Sequence, residues 1–163
     1  MKNIFNYIIY LLIPISLMNS HTNMSNKKIN YKLYIPKINI ERNIYDFNNI
    51  NNDVNKNVYL ATKYNFSTLN GSIVLAAHSG NSLVSYFDNL NKLDIMDEVI
   101  IEDLDNIYTY IIDDTFFINK NGTFNYNDKD RYIYLITCVK NNHKQQLVYG
   151  GKLKKITKKS TFS

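Results

Sequence analysis

At 163 residues with 45% hydrophobic and 20% charged side chains, the chain is one domain's worth of sequence with enough apolar mass for a core; this excludes wholesale disorder and argues against a two-domain enzyme or a long repeat array. Five glycines and two prolines exclude collagen-like and Pro-rich chains, and a single cysteine excludes an intramolecular disulfide framework and any Cys-rich zinc or iron–sulfur module. The net charge of +5 is carried by lysine, 17 residues against two arginines, whereas phosphate and base readout leans on Arg, so no nucleic-acid partner is expected.

In chain order, residues 4–18 form an apolar run after Lys2, interrupted by Asn6, Pro14 and Ser16. The run is shorter than the roughly 20 residues of a comfortable membrane span and fits the apolar region of an export signal. Residues 1–19 are therefore expected to be a signal sequence or uncleaved signal anchor, with 20–30 a polar linker, 31–156 the folded domain and 157–163 a basic tail. The lysines at 152, 154, 155, 158 and 159 read as a solvated end.

From residue 31 the pattern is one of short strands. Residues 31–40 alternate with period two, and Pro36 within them argues for an edge strand or a bulge. Residues 72–77 are a continuous apolar run ending at His78. Leu83, Tyr86, Phe87 and Leu90 recur at i, i+3, i+4 and i+7 behind Ser82, which predicts a helix over 82–93. Residues 97–102 and 107–118 predict a hairpin turning over 103–106, and 131–138 and 146–153 predict two further strands joined by the polar 139–145. The 14 tyrosines suit β packing. The expected fold class is all-β, a closed or nearly closed barrel with one or two short helices.

The chemistry gathers around the lone thiol. Cysteine is a nucleophile as thiolate, and with ordinary pKa values of about 8.5 for Cys and about 6.5 for His a nearby base or cation must shift the balance. His21 lies in the linker and His143 in a polar loop five residues after Cys138, where a solvated ring is the default. His78 and Cys138 differ from these, since each ends an apolar strand, where loops on a rigid scaffold commonly carry reactive groups. An exported chain with one unpaired Cys also favours a chemical thiol over a structural one.

The segments IVLAAH (73–78) and YLITC (134–138), followed by QLVYGGKL (146–153), resemble the sortases, membrane-anchored cysteine transpeptidases of Gram-positive bacteria. In that family a His follows one barrel strand, Leu-x-Thr-Cys ends a later one, and an Arg opens the last. Leu135, Thr137 and Cys138 match the second element and His78 the first. The resemblance runs from residue 31 to residue 153 and implies a sortase-like barrel. It also implies that Cys138 attacks a C-terminal Leu-Pro-x-Thr-Gly-like signal to form a thioester and that His78 protonates the leaving amine. The acyl group would then pass to a cell-wall precursor or pilin amine, outside a membrane held by the N-terminal segment. It further implies that Thr137, Ala77 and Val148 border the substrate, and that residues 119–130 edge the signal groove.

Two positions depart from the family pattern. Gln146 stands where the Arg is expected, so an N–H donor replaces a charged one for the substrate or oxyanion; Lys144 or Arg131 are the alternative cations. Met96 stands before Asp97 where a Gly is usual, a local turn change. No cofactor is expected: Glu102, Asp103, Asp105, Asp113 and Asp114 do not match an EF-hand and read as solvated turns, with Ca²⁺ the one ion the resemblance leaves open. The rival readings are a weakened or inactive sortase homologue serving as an anchored binding module, and a Cys–His cell-wall peptidase. In papain-like peptidases Cys precedes His, whereas here His78 precedes Cys138 by 60 residues.

Overall fold

A computed structural model describes residues 31–63, 71–120, 124–126 and 131–160. The expected N-terminal signal or anchor, the linker with His21, most of residues 121–130 and the last three residues lie outside the described residues. Among those described, no helix is long and apolar enough to cross a membrane.

Among the described residues eight strands make one nearly closed sheet: β1 (Tyr31–Ile35), β2 (Ile40–Ile44), β3 (Tyr59–Leu60), β4 (Ile73–Ala76), β5 (Glu98–Glu102), β6 (Asn106–Asn119), β7 (Tyr132–Val139) and β8 (Asn142–Lys158). Their order across the sheet is β2-β1-β5-β6-β8-β7-β4-β3. All pairings are antiparallel except β4 with β7, which run parallel. That exception puts the C-terminal ends of β4 and β7 side by side.

Alternation along the strands separates two apolar clusters. Leu33, Ile35, Val99, Ile101, Tyr110, Ile133 and Leu135 belong to the interior core, while Val74, Tyr134, Ile136 and Val148 form a second cluster on the outer face. On β6 the register slips between Ile112 and Asp114. One inserted residue inverts the side-chain parity, so Ile112 faces the core whereas Phe116 and Ile118 pack on the outer cluster.

Three sequence expectations are corrected. The single strand over 31–40 is a hairpin: Pro36 opens a 3-10 turn (Pro36–Ile38), Asn39 is left-handed with φ of 53°, and β2 starts at Ile40. Proline lacks the N–H that would continue the ladder, and Asn tolerates the left-handed state.

The helix over 82–93 does not form. Its place is taken by turns closed by hydrogen bonds to the third residue back, Ser85 to Ser82, Asp88 to Ser85, Leu90 to Phe87 and Leu93 to Leu90, ending in a 3-10 segment (Leu90–Lys92). Phe87 and Leu90 are fully buried, but Leu83 is fully exposed, so the apolar stripe is incomplete. Asn81, Ser82, Asn89 and Asn91 supply weak helix formers and local side-chain bonding that favours turns.

The polar connection expected over 139–145 is also shorter than expected. β8 begins at Asn142, so β7 and β8 form a tight hairpin and His143 lies on a strand; its side chain is outside the described residues.

Met96, where a Gly is usual in sortases, sits at φ of 79° in the turn that closes with Asp97 N–H on the Asp94 carbonyl. A Cβ in the left-handed region costs about 1–2 kcal/mol, partly offset by the backbone entropy glycine loses on folding. Its side chain is 72% exposed and contributes little packing. Met96→Gly should therefore raise unfolding stability by about 0.5–1 kcal/mol, read as a higher urea midpoint with unchanged slope.

Candidate active site

The chain is stitched across the β4–β7 seam immediately around the two predicted residues. Ala76 lies opposite Ile136 in the ladder, and beyond it the Ala77 N–H donates to the Ile136 carbonyl at 3.2 Å. The buried Thr137 hydroxyl donates to the Ala77 carbonyl at 2.9 Å, and the Ser79 hydroxyl donates to the Cys138 carbonyl at 2.7 Å. His78 is thus bracketed by bonds from both of its neighbours to β7, the second of them to Cys138 itself. On the other side Cys138 pairs directly with Gln146 of β8, and Gln146 with Ile118 of β6.

The parity of the clusters fixes the face. Ile73, Leu75 and Ala77 belong to the core and Val74 and Ala76 to the outer cluster; Ile133 and Leu135 are core, Tyr134 and Ile136 outer; Leu147 and Tyr149 are core, Val148 outer. Continued by two residues, the outer rows reach His78, Cys138 and Gln146. Ile118, Gln146 and Cys138 then make one row across β6, β8 and β7, and His78 lies two residues beyond the end of the neighbouring β4. The next row is Phe116, Val148, Ile136 and Ala76, and the one after it Asp114, Gly150, Tyr134 and Val74. Phe124, Tyr126 and Tyr132 pack over this face, with Phe124 edge-on to Tyr134 at a centroid distance of 5.1 Å.

The other predicted residues are wall rather than rim. Ala77 and Thr137 are each 4% exposed on the core side, and Val148 is fully buried beneath the outer cluster. The Thr137 hydroxyl is engaged in the seam. Thr137→Val would leave the Ala77 carbonyl without that donor, and a loss of about 1–2 kcal/mol in unfolding stability is expected by denaturant titration.

Lys144 shares strand parity with Gln146 and is exposed. Arg131 is separated from the thiol: its carbonyl accepts from Leu153 N–H at the far end of the β7–β8 pair, seven residues or about 23 Å from Cys138.

Further residues at the site gave no signal in the sequence. Asn55 places its Oδ1 3.3 Å from His78 Nε2. Asp88 accepts the Gly80 N–H at 2.8 Å and pairs with Lys140 at 2.9 Å, tying the turn after His78 to the turn after Cys138. Gly80 has φ of 122°, which only glycine adopts readily, and this lets its N–H reach Asp88. Lys140 first, and the Gly80 N–H second, hold the Asp88 carboxyl below the usual carboxylate range. The stabilisation from that tie is present above the ordinary value and is lost as pH falls through the depressed one.

Beside the Asp88 and Lys140 pair a cleft of about 330 Å³ reaches Cys138 between Phe87, Phe117, Thr137 and Leu147, without touching His78 or Gln146. A second hollow of about 510 Å³ lies on the outer face, lined by Asp113, Asp114, Phe116, Phe124, Tyr134 and Gly150 among others. Among the described residues no group of three or more His, Cys, Asp or Glu side chains could hold a metal ion.

This architecture has relatives. Sortase A of Listeria monocytogenes superposes with a TM-score of 0.68 at 22% identity, covering 82% of this chain and 92% of that one. Sortase C-1 of Actinomyces oris gives 0.67 at 21% over 82% and 78%. Sortase E of Streptomyces avermitilis gives 0.65 at 19% over 80% and 91%. At such identities the likeness is one of fold. Among curated proteins no sequence match is found. The family model of the sortase domain, however, matches residues 33–154, well over half of the sequence and nearly all of the barrel beside which His78 and Cys138 lie, and the chain therefore belongs to the sortase family.

Proposed function

We propose that this protein is a sortase-type cysteine transpeptidase that cleaves a C-terminal Leu-Pro-x-Thr-Gly-like signal and passes the acyl group to a cell-wall precursor or pilin amine. The observation that carries the reading is the pairing of Cys138 with Gln146 across β7 and β8, together with the Ser79 hydroxyl bond to the Cys138 carbonyl that holds the turn carrying His78 against the same end of β7.

In this mechanism the Cys138 thiolate attacks the Thr carbonyl, and an N–H of Gln146 donates to the oxyanion that forms. His78, as imidazolium, gives its proton to the leaving amine, the C–N bond breaks and a thioester remains. An incoming amine then attacks the thioester, His78 takes a proton from it, and the new amide leaves the thiolate restored.

Track length supports the substrate class. From Tyr134 to Cys138 is four residues, or about 13 Å, the span of four extended residues preceding a scissile bond. The part-exposed Ala76 and Phe116 supply an apolar floor suited to a Leu-Pro pair. By family the enzyme would work at the outer face of a Gram-positive cell membrane, held by residues 1–19.

Gln146 favours a second reading, a homologue of reduced activity, because a neutral donor makes a bond about half as strong as a charge-assisted one. The test is turnover of a fluorogenic signal peptide with and without an amine acceptor. Acceptor-dependent ligated product is expected, and Gln146→Ala should lower kcat by about 10²-fold. Signal cleavage without acceptor use would point to a peptidase, and no cleavage at all to the inactive homologue.

A further inference from the structure

We propose that the hollow at the far end of the outer track is a subsite for a cationic side chain, Lys or Arg, on the residue immediately before the signal's Leu. The proposal rests on the transpeptidase reading for the peptide that lies in the track, and on the geometry of the hollow for the charge it selects.

A missing side chain makes the hollow. Asp114, Gly150 and Tyr134 lie opposite one another on β6, β8 and β7, so the backbones that carry the carboxylate and the ring stand two strand spacings, about 10 Å, apart. A Cβ at Gly150 would lie 3.3 Å from Tyr134 Cε1 and 3.8 Å from Asp114 Cβ, so a side chain there would occupy the space between them. With glycine that space stays open, part of a hollow of about 510 Å³, ample for the head of a long side chain.

The walls differ in chemistry from the apolar track. Tyr132 stacks on Tyr134 with centroids 5.7 Å apart and 15° between the planes, and Phe124 stands 5.1 Å from Tyr134 and 5.9 Å from Phe116. The Tyr132 hydroxyl donates to Asp113 Oδ2 at 3.1 Å and so holds that carboxylate at the rim. Among the described residues neither Asp113 nor Asp114 enters an ion pair, and Lys152, one row further out and opposite Tyr132, enters none either. Two carboxylates without a cationic partner, beside aromatic rings, attract an organic cation and repel an anion.

Phe116 belongs both to the hollow and to the floor of the track, so the two are continuous. An extended peptide advances about 3.3 Å per residue, the same rise as the strand beneath it. With the Thr carbonyl at Cys138, the Leu three residues earlier reaches the level of Leu135, and the residue before it reaches Tyr134 and the hollow. A C-terminal signal is preceded by the rest of its protein, so that position is always filled. The hollow sets which charge is favoured there.

The experiment gives the full chain two signal peptides that differ only in the residue before Leu, Lys in one and Glu in the other, and measures kcat and KM separately. The Lys peptide is expected to show a KM about fivefold lower with kcat within about twofold, and the preference should shrink toward unity at about 0.5 M salt. Replacing both carboxylates, Asp113→Asn with Asp114→Asn, should bring the two KM values within about twofold of each other. Gly150→Ala should raise KM for the Lys peptide and leave the Glu peptide unchanged; if that variant fails to fold, the Asn pair carries the test. Equal KM values in the parent, or a preference kept in the Asn pair, overturn the proposal. Should neither peptide be cleaved, fluorescence polarisation of the labelled peptides replaces KM. A Lys preference lost in the Asn pair would then leave the subsite standing and remove the transpeptidase reading, and equal binding would overturn the subsite.

Discussion

Cleavage of a sorting-signal peptide is expected to fall to background in Cys138→Ala and in His78→Ala, and to persist in His143→Ala. The two losses have different sizes. Without the sulfur no acyl-enzyme forms and the two-step path is gone, a loss of at least about four orders of magnitude; without the imidazole the thiol remains but its base and proton donor do not, a loss of about 10²–10⁴. Both effects should appear in kcat, with peptide binding kept, because the apolar track beside the row is untouched. The measurement is steady-state turnover with intact-fold controls by circular dichroism. Full activity in either of the first two variants would remove the proposed roles, and loss in His143→Ala would move the base to β8.

The second large effect is on stability. Phe87 has no exposed surface and lies in the core cluster with Leu90 and Leu93. It anchors a segment that has no helix of its own to stand on. Truncation to Ala removes the burial and leaves a cavity that turns cannot easily close, so Phe87→Ala should cost about 3–5 kcal/mol of the roughly 5–15 available to a domain. Because the Phe87 N–H is also bonded to the His78 carbonyl at 3.0 Å, loosening this segment should reach the site. Activity is expected to fall more steeply with temperature than in the parent, well below the unfolding midpoint. A thermal midpoint within a degree or two of the parent would contradict the packing role.

Much of the barrel was legible because strand signals are local. The runs before His78 and Cys138 are continuously apolar, and they prove to be β4 and β7, with a core on one side and a second apolar cluster on the other. The hairpin over 103–106 was legible from its polar turn, which the structure closes with Asp103 Oδ1 accepting the N–H groups of Asp105 and Asn106.

The turns over 82–93 were misread because Phe87, Leu90 and Leu93 lie three residues apart and fit a chain of 3-10 turns as well as an α-helix. Exposure of Leu83 distinguishes the two, and exposure is a property of the fold. The slip between Ile112 and Asp114 was equally hidden, since its effect is to move Phe116 and Ile118 onto the outer face, and their residue types suit either side. At the candidate site, the sequence order of His78, Cys138 and Gln146 was legible, although Gln146 lies within β8, which begins at Asn142, and not at its start. Asn55, Ser79 and the pair of Asp88 with Lys140 were not, because their contacts join segments with no shared periodicity.

The most direct measurement is an intact-mass spectrum of the protein quenched in acid during incubation with candidate signal peptides, followed by mapping of any adduct. The mechanism requires the mass of the signal's N-terminal portion, ending at the cleaved carbonyl, attached through the Cys138 sulfur and discharged by an added amine. Peptide cleavage that proceeds with Cys138 unmodified, or with the acyl mass on another side chain, would contradict it.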